Sequence, residues 1–441
     1  MNDRASTSVD DAFAPFCDAQ AMQPLLQEAA CHLWGEALNV VESEVAHAWR
    51  KIYVKPASAH KSFMQLCYRA TLARRGSSPF IGWMHGSATP HASPSRRGPR
   101  QYIVPVNGIW LALHRFPDDE VLPQLPQLSD LPRIRPTLAA LTRGRIADAD
   151  IEVVSYRPGE RCTLRFALHE ESSGRERVLF AKTFRDDRGQ VIFDRMLQLW
   201  AQGITRGAGA YVPLPIEYDG DTRTLWQHGV PGPRALASID DTGFAHVLHA
   251  AMRTLGLLHT SKLEALPWAD RASLLADTRK RAAKLALVHT ELASPLEGAL
   301  ATCERALDVL PRFRPVPIHG DAHLGQFLIA DGQAVMVDLD ELAMGDVEQD
   351  LAGLIVDVLC HRSVSEEAEG WMQSALDAYA VHRGASHCSA LLEWHLCMQF
   401  INKAYRIFWK GAVRHDLRVA QAVQRALDAA QLLHNRLEFP C

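Results

Sequence analysis

The feature that most constrains this chain is a polar turn flanked by apolar strands between residues 315 and 340. The segment PIHGDAHLGQFLI places His319, Asp321, His323 and Gln326 in a tight loop that leads into an apolar strand. A DGQ turn follows, and the next strand, AVMVDLD, ends in acidic residues. This order predicts a β-hairpin with polar groups gathered at its base.

Acids from two different segments, with an amide between them, form a suitable set of ligands for a hard cation. Oxygen ligands suit Mg²⁺, which usually takes few ligands from the protein and relies on substrate phosphates and water for the rest. A single aspartate at a hairpin base would be an unremarkable polar turn. The joint presence of Asp321, Gln326, Asp338 and Asp340 favours a functional site over a purely structural turn.

The run HGDAHLGQFL…VDLDELAMGDVEQDLA resembles the HGDxHxxN…DxD…G…DLA signature of the aminoglycoside phosphotransferase and choline kinase superfamily, which shares the fold of protein kinases. The glutamine of HGDAHLGQ is similar to the form found in maltokinase-like and related sugar kinase-like members. YRPGERC…FAKTFRDDRG also resembles the N-lobes of that subgroup. The resemblance covers about residues 150–440. It implies an α+β, bilobal protein-kinase-like fold with a five-stranded N-lobe and a mostly helical C-lobe.

The resemblance also implies roles for individual residues. Asp321 matches the catalytic aspartate, which accepts or orients the proton of the attacking hydroxyl. Gln326 matches the metal-binding amide, and Asp338 matches the aspartate that bridges Mg²⁺ to the phosphates. Lys182 matches the lysine that holds the α- and β-phosphates of ATP. Phosphoryl transfer needs mainly positioning and charge neutralisation, which a base, a divalent metal and a cation supply.

The remaining polar residues of the motif have more than one interpretation. His319 and His323 are expected to brace the loop rather than to take part in the chemistry. Asp350 matches an aspartate that begins a helix and braces the same loop. Asp340 is either a further metal ligand or a structural residue, and both alternatives stay open.

Three features of the chain depart from the family pattern. Gln326 is one methylene longer than asparagine, so the loop must lie slightly farther from the metal. No multi-glycine phosphate loop is present, and the available glycine is Gly159 in RPGER, with Arg157 and Arg161 beside it. The helix after Lys182 has no glutamate to pair with that lysine.

The chain's 441 residues are too many for one ordinary domain, because single cores stop growing near about 250–300 residues. We expect an added N-terminal α+β cap domain at 1–148, a kinase-like N-lobe at 149–232 and a helical C-lobe at 233–441, with the catalytic loop and acceptor site in the last. The strand–turn–strand pattern IEVVSY–RPGER–CTLRFALH opens the N-lobe. RVLFAKTFRDD is predicted to be a third strand, RGQVIFDRMLQLWAQG a helix, and YVPLPIEYDGDTRTLWQHG two more short strands. Its last strand should end near Gln227 and His228, which we expect to contact the nucleotide base.

Within the cap, residues 1–45 are predicted to be helical, because apolar residues in AMQPLLQEAACHLWGEAL recur at helical spacing. WRKIYVKP and SFMQLCYRATLARR are predicted to be strands. Residues 76–101 are rich in Gly, Ser and Pro, which predicts a loop. YIVPVNGIWLALHRF then resumes strand character, and RIRPTLAALTR is predicted to be a short helix.

Composition limits the partners and the compartment. The net charge of −4 does not indicate binding to nucleic acid or to an anionic membrane. The nine cysteines lack the spacing of a zinc site and suit the reduced thiols of a cytosolic protein. The N-terminus lacks the pattern of a secretory signal, and no apolar run reaches the ~18 residues of a membrane span. We therefore expect a cytoplasmic protein with neither nucleic acid nor membrane as partner, and its oligomeric state stays open.

The acceptor is less constrained than the reaction. The resemblance implies ATP and Mg²⁺ as cofactors and a small-molecule hydroxyl compound as acceptor, and the glutamine form of the motif favours a neutral sugar or an aminosugar. An aminoglycoside antibiotic is the alternative, and it would need a concentrated acidic pocket. The acids on the helices expected to line the acceptor site are Glu366, Glu367, Glu369, Asp377 and Glu393. The first three are typical of a solvated helix start.

A protein of another class remains as the rival hypothesis. A pseudokinase would bind nucleotide and regulate a partner without transferring phosphate. Loss of the base or of the metal ligands would indicate such a protein, but Asp321, Asp338 and Lys182 are all present.

Overall fold

The computed structural model describes residues 13–51, 62–90, 100–170, 176–203, 211–240, 243–312, 314–361, 368–409 and 417–438. The chain divides into two compact units. The first contains Met1–Gly189, Tyr218–Trp226 and Trp409–Val413, and the second contains Gln190–Glu217, Gln227–Phe408 and Arg414–Cys441.

The first unit begins with a capped helix, α1 (Ala19–Trp34). The carboxylate of Asp18 accepts hydrogen bonds from the first free backbone N–H groups of this helix. Gly35 ends the helix in a left-handed conformation, with φ +70°, which glycine adopts without steric cost. The apolar face of α1, which includes Leu26 and Leu33, is buried in the core of the first sheet.

That first sheet has five strands in the order β1-β2-β3-β5-β4. The strands are β1 (Asn39–Lys51), β2 (Phe63–Ala73), β3 (Phe80–Thr89), β4 (Gln101–Val106) and β5 (Ile109–Arg115). Every neighbouring pair is antiparallel. Two short helices follow, α2 (Leu125–Leu128) and α3 (Leu131–Thr142), and the second of them was predicted from RIRPTLAALTR.

Two sequence predictions for this region are wrong in part. The predicted helix at 1–45 includes the start of β1 at Asn39, and residues 1–12 lie outside the described residues. The predicted loop at 76–101 contains strand β3, whereas its residues 91–99 are not described. In β3 the glycines allow close packing, because a Cβ at Gly86 would lie 1.8 Å from the carbonyl oxygen of Ala112 on the neighbouring strand. Glycine marks a close backbone approach here, and not a turn.

A second five-stranded sheet follows in the order β6-β7-β8-β10-β9. Its strands are β6 (Ile146–Arg157), β7 (Arg161–Glu170), β8 (Glu176–Phe184), β9 (Pro215–Asp219) and β10 (Thr224–His228). All five were predicted from the alternation of apolar residues and turn signals. Helix α4 (Arg188–Ala201) comes between β8 and β9, as the sequence also predicted. The mixed α+β class and the five-stranded sheet of the expected N-lobe are therefore confirmed.

Side chains that follow β5 bind the second sheet within the first unit. Asp119 accepts hydrogen bonds from the hydroxyl of Tyr156 at 2.7 Å and from the backbone N–H of Gly159 at 2.8 Å. Burial raises the pKa of Asp119, but these hydrogen bonds outweigh that effect and hold its pKa below the usual value. Gln124 donates to the hydroxyl oxygen of Thr183 at 2.6 Å. The segment between the sheets thus contributes polar anchors to the second sheet.

The second unit is mainly helical. Its helices are α5 (Phe244–His259), α6 (Arg271–Val288), α7 (Ala293–Ala306), α8 (Val347–Leu359), α9 (Ala368–Arg383), α10 (Ser389–Trp409, of which Trp409 falls in the first unit) and α11 (Leu417–Glu438). Two short antiparallel sheets pair β11 (Val316–Ile318) with β14 (Ala343–Gly345) and β12 (Phe327–Ala330) with β13 (Gln333–Met336). Among the helices described here, none combines the length and the apolar character needed to cross a bilayer.

We predict that a fragment of residues 150–441 will be poorly soluble or will melt at a much lower temperature than the full chain. The fragment lacks the first sheet, the anchors Asp119 and Gln124, and the first residues of β6, which pair with β7. Solubility and thermal denaturation of the purified fragment, measured beside the full chain, test this expectation. A soluble fragment of equal stability would show that residues 1–149 fold as an independent appendage.

Candidate functional site

A buried aspartate holds the start of the loop between β11 and β12. Asp350, in the first turn of α8, accepts hydrogen bonds from the backbone N–H groups of His319 at 2.6 Å and Gly320 at 2.9 Å. Its Oδ2 also lies 3.1 Å from Nε2 of His259, and Nδ1 of His259 lies 2.6 Å from the hydroxyl of Tyr379. Burial raises the pKa of Asp350, but the hydrogen bond and charge of His259 outweigh it, so the pKa lies below its usual value. The carboxylate is therefore a charged acceptor for the loop.

The loop is braced from inside by His319, which is fully buried. Its Nε2 lies 3.0 Å from the carbonyl oxygen of Val337, which can only accept, so Nε2 carries the proton. Its Nδ1 accepts from the backbone N–H of Asp321 at 3.4 Å. Gly320 has φ +82°, and a Cβ there would lie 2.2 Å from the carbonyl oxygen of Glu341. His319 thus connects the loop to Val337, and the close approach of Glu341 requires glycine at position 320.

The far end of the loop is held by a second aspartate of α8. Asp357 accepts from the backbone N–H of Leu324 at 3.1 Å and pairs with Nζ of Lys403 at 2.5 Å. Because Asp350 and Asp357 are seven residues apart, they lie two turns apart on one helix face. The sequence analysis missed Asp357, although the spacing in DLAGLIVD would have placed it beside Asp350 on the same face.

His323 caps the short 3-10 turn at Leu324–Gln326. Its Nδ1 accepts the backbone N–H of Gly325 at 3.1 Å. Burial lowers the pKa of His323, so the neutral ring that this acceptor role requires is favoured. Arg234 donates to the carbonyl oxygen of Gly325 at 2.8 Å. Through these contacts His323 and Arg234 hold the backbone of the turn.

The predicted metal ligands lie at the base of the β12–β13 hairpin. The backbone oxygen of Gln326 accepts from Val337 at 2.8 Å, and its Nε2 donates to Oδ2 of Asp338 at 3.0 Å. Asp338 has φ +62°, a conformation uncommon for residues other than glycine but tolerated by aspartate. Asp340 follows in a 3-10 turn, Leu339–Glu341, and is half-buried. The structure therefore brings Gln326 and Asp338 into direct contact, with Asp340 two residues further along the chain.

These residues suit a magnesium ion that is shared with phosphate groups. The Gln326 amide nitrogen already faces Asp338, so its amide oxygen is the atom that would ligate a cation. Mg²⁺ commonly takes one or two carboxylates from the protein and completes its ligands with phosphate oxygens and water. Within the described ranges, no group of three or more His, Cys, Asp and Glu side chains is arranged to hold a metal.

The predicted catalytic residue, Asp321, is accessible. Its side chain is 35% exposed, and its Oδ1 lies 3.0 Å from Nη2 of Arg406, whose side chain is 45% exposed. A partly exposed carboxylate on a loop that is fixed at both ends can meet the hydroxyl group of a substrate. The sequence analysis missed Arg406, because 85 residues separate it from Asp321 and no local spacing connects them.

The predicted nucleotide-binding residues lie on the second five-stranded sheet. Lys182 lies in β8, in register with Thr163 of β7, and its Nζ is 5.5 Å from the ring centroid of Phe184. Gln227 and His228 end β10 and are half-buried.

Arg157 and Gly159 lie at the turn between β6 and β7. Arg157 is exposed at the end of β6, and Gly159 has φ +69°. The backbone N–H of Gly159 is engaged by Asp119 at 2.8 Å. The backbone N–H of Gly159, which the sequence analysis offered as a phosphate contact, therefore already donates to a carboxylate.

A sequence profile of the phosphotransferase enzyme family (APH) matches residues 165–385, half of the chain. The chain belongs to this family. By family it is a small-molecule phosphotransferase, and the kinase-like fold expected from the HGDAHLGQ motif is confirmed. The matched range contains the loop, the hairpin, Lys182 and Asp350, and it excludes the first sheet.

The finer resemblance to maltokinase-like members and the cytoplasmic location stay predictions. No curated protein sequence matches this chain.

Several solved structures are similar to this chain. Spectinomycin phosphotransferase in complex with ADP and spectinomycin is 11% identical, with a TM-score of 0.47 over 69% of this chain and 98% of that one. A choline kinase from Cryptosporidium parvum is 13% identical, with a TM-score of 0.48 over 66% and 92%. A choline/ethanolamine kinase family protein from Mesorhizobium loti is 16% identical, with a TM-score of 0.45 over 68% and 99%.

We predict that Asp350→Asn will lower the free energy of unfolding by about 2–4 kcal/mol. The amide has one acceptor oxygen instead of two, and its NH₂ group would face a backbone N–H of the loop in a buried site. Chemical denaturation at pH 7 measures the loss. Asp428→Asn, on the exposed face of α11, is the matched control and should change stability by less than about 0.5 kcal/mol.

The difference between wild type and Asp350→Asn should shrink in acid. The folded pKa of Asp350 lies below its usual value, so its stabilising effect is present above about pH 4 and declines as the pH falls further. Equal stability of both proteins at pH 7 would contradict the anchoring role.

Proposed function

We propose that the protein transfers the γ-phosphoryl group of ATP to a hydroxyl group of a small molecule, with Mg²⁺ as the metal. The observation that carries this proposal is the loop between β11 and β12. Asp350 anchors the loop, Asp321 is accessible on it, and Gln326 contacts Asp338 at its end. Family membership supports the same reaction class.

In this proposal the chain's own groups position the reactants. Asp321 takes up the proton of the acceptor hydroxyl as its oxygen forms a bond to the γ-phosphorus. The bond between that phosphorus and the β–γ bridging oxygen breaks, and the products are ADP and a phosphate monoester. Gln326 and Asp338 would hold Mg²⁺, with Asp340 as the further candidate. When bound, the metal neutralises charge on the phosphate oxygens.

Lys182 would hold the α- and β-phosphates, and Gln227 and His228 would contact the base. The side chain of Arg157 is exposed and pairs with none of the residues that the structure describes, so its guanidinium is available to a phosphate group. The Gly159 N–H could serve a phosphate only after leaving Asp119, so we assign Gly159 to the geometry of the turn. ATP is the proposed nucleotide because the family resemblance implies it.

We propose a sugar or aminosugar as the acceptor, following the glutamine form of the motif. The alternative, a polycationic aminoglycoside, has little support from the predicted acids. Glu393 pairs with Arg436 at 3.6 Å, and Asp377 accepts from Gln373 at 3.0 Å. Glu366 and Glu367 lie outside the described residues, and nothing is described of the Glu369 side chain. The accessible carboxylate of Asp321 favours an active kinase over a pseudokinase, which would have lost its catalytic base.

We predict that Asp321→Asn will lower kcat by about 10²–10⁴-fold, because the amide cannot take up the proton of the acceptor hydroxyl. Melting temperature and nucleotide affinity should stay close to wild type, because this side chain is partly exposed. ADP release with a panel of sugars, aminosugars and aminoglycosides measures turnover. Asp331→Asn, at the exposed turn of the same hairpin, is the control. Activity of Asp321→Asn within twofold of wild type would exclude the assigned role.

Mg²⁺ and the ATP analogue AMP-PNP together should raise the melting temperature more than the sum of their separate effects. Each completes the site of the other, so binding of one favours binding of the other. Asp338→Asn should remove this synergy while tolerating the left-handed backbone at that position. Asp340→Asn decides whether Asp340 is a second ligand. Unchanged synergy in Asp338→Asn would show that Asp338 does not bind the metal.

A further inference from the structure

An arginine of α10 pairs with the proposed catalytic aspartate, and a second arginine lies on the neighbouring helix α6. Arg406 of α10 pairs with Asp321 at 3.0 Å. Arg281 of α6 is within electrostatic range of both Arg406 and Asp321. The helices that carry the arginines are packed together, since the hydroxyl of Thr278 lies 3.4 Å from Oδ1 of Asn402. Nζ of Lys284 on α6 also lies 5.7 Å from the ring centroid of Tyr405 on α10, so Arg281 lies between two contacts with the helix that carries Arg406.

Arg281 is half-buried, yet it makes no hydrogen bond or ion pair with any residue that the structure describes. Burial lowers the pKa of its guanidinium, and the positive charge of Arg406 lowers it further. Nearby Asp277 and Asp321 raise that pKa, but they do not outweigh the two lowering effects. A half-buried arginine with another arginine for a neighbour is unfavourable unless an anion completes the site.

Three carboxylates of α6, α8 and α10 are paired with other cations, and of these Glu393 of α10 pairs with Arg436 at 3.6 Å. Asp277 pairs with Lys280 at 2.8 Å, and Asp357 pairs with Lys403 at 2.5 Å. Lys284 adds another cation to the same helix as Arg281, and its Nζ lies 5.7 Å from the ring centroid of Tyr405. The described surface between α6 and α10 is therefore rich in cations.

We propose that Arg281 and Arg406 form an anion subsite next to Asp321, and that the acceptor is a hydroxyl compound carrying a carboxylate or a phosphate group. The inference rests on the proposed function, because it assumes that Asp321 meets the acceptor hydroxyl. It narrows the acceptor of that proposal to a sugar acid, a sugar phosphate or another anionic hydroxyl compound, and it excludes the aminosugar.

The subsite would act by orientation and by selection. A planar guanidinium binds a carboxylate or phosphate through two parallel hydrogen bonds, which fixes the direction of the ligand as well as its position. Since Arg406 also contacts Asp321, an anion bound there has its neighbouring hydroxyl groups near the catalytic carboxylate. The same two positive charges repel an aminosugar or a polycationic antibiotic.

Matched acceptors test the charge preference. Neutral, carboxylated, phosphorylated and aminated forms of the same hexoses and polyols are compared by ADP release. We expect kcat/KM for a carboxylated or phosphorylated form to exceed that of its neutral parent at least tenfold, and the aminated form to be the poorest. Comparing kcat/KM between the carboxylated and the phosphorylated forms shows which of the two anionic groups the subsite prefers. A neutral or aminated form as best substrate would overturn the inference but leave the proposed function intact.

The Arg281→Gln variant tests the subsite itself. It should raise the KM of the anionic acceptor about tenfold, reduce the preference over the neutral parent, and leave the KM of ATP unchanged. Arg281→Lys keeps the charge and should recover part of the preference. Arg279→Gln, two residues away on α6 and with its arginine paired with Glu304 at the surface in the wild type, is the control.

If Arg281→Gln does not fold, Arg406→Gln is the substitute. The Arg406 side chain is 45% exposed, and its replacement should abolish the same preference for the anionic acceptor. Unchanged preference in a folded variant would overturn the inference.

Binding without turnover separates the two proposals. With AMP-PNP and Mg²⁺ saturating, inorganic phosphate should raise the melting temperature of wild type and of Arg279→Gln, but not of Arg281→Gln. If no compound in the panel is phosphorylated while this Arg281-dependent stabilisation is present, the proposed function fails and the anion subsite stands. Absence of the phosphate effect in wild type, or an equal effect in Arg281→Gln, would overturn the subsite whatever the turnover results.

Discussion

The candidate site depends on one buried carboxylate. Asp350 is enclosed by protein, and its two oxygens receive the backbone N–H groups of His319 and Gly320 together with the ring of His259. Removing a charge from water is costly, and this cost is offset only when each lone pair meets a donor. The loop therefore adopts the conformation that offers its N–H groups to Asp350. The same conformation requires glycine at 320, where a side chain would collide with the backbone.

Phosphoryl transfer suits a site of this kind, because the protein contributes mainly position and charge. The loop is held at its start by Asp350 and near its end by Asp357, two turns apart on one rigid helix. Asp321 lies between these anchors and stays partly exposed. Such preorganisation removes the need for the loop to order when a substrate binds. Arg406 and Arg281 then add positive charge from two packed helices, which points to an acceptor of opposite sign.

The first unit shows a different use of a carboxylate. Asp119 binds the turn between β6 and β7 through Tyr156 and the backbone N–H of Gly159. Asp119 therefore restricts the conformation of the β6–β7 turn. This is the turn that the sequence analysis offered as a phosphate contact. The first sheet lies outside the range matched by the family profile, yet Asp119 and Gln124, which follow it, belong to the same compact unit as the matched residues of β7 and β8.

The sequence alone determined the elements whose signals are local. The β12–β13 hairpin, the five strands of the second sheet and the HGDAHLGQ motif follow from alternation, turn residues and fixed spacing within short segments. Strand β3 was missed because glycine is ambiguous in sequence, and only the close approach of Gly86 to Ala112 shows that it packs in a sheet. The pairing of Asp321 with Arg406 and the placing of Arg281 beside them were decided by tertiary structure. Asp321, Arg281 and Arg406 are far apart in the chain and come together only when whole helices pack. No local sequence pattern predicts that packing.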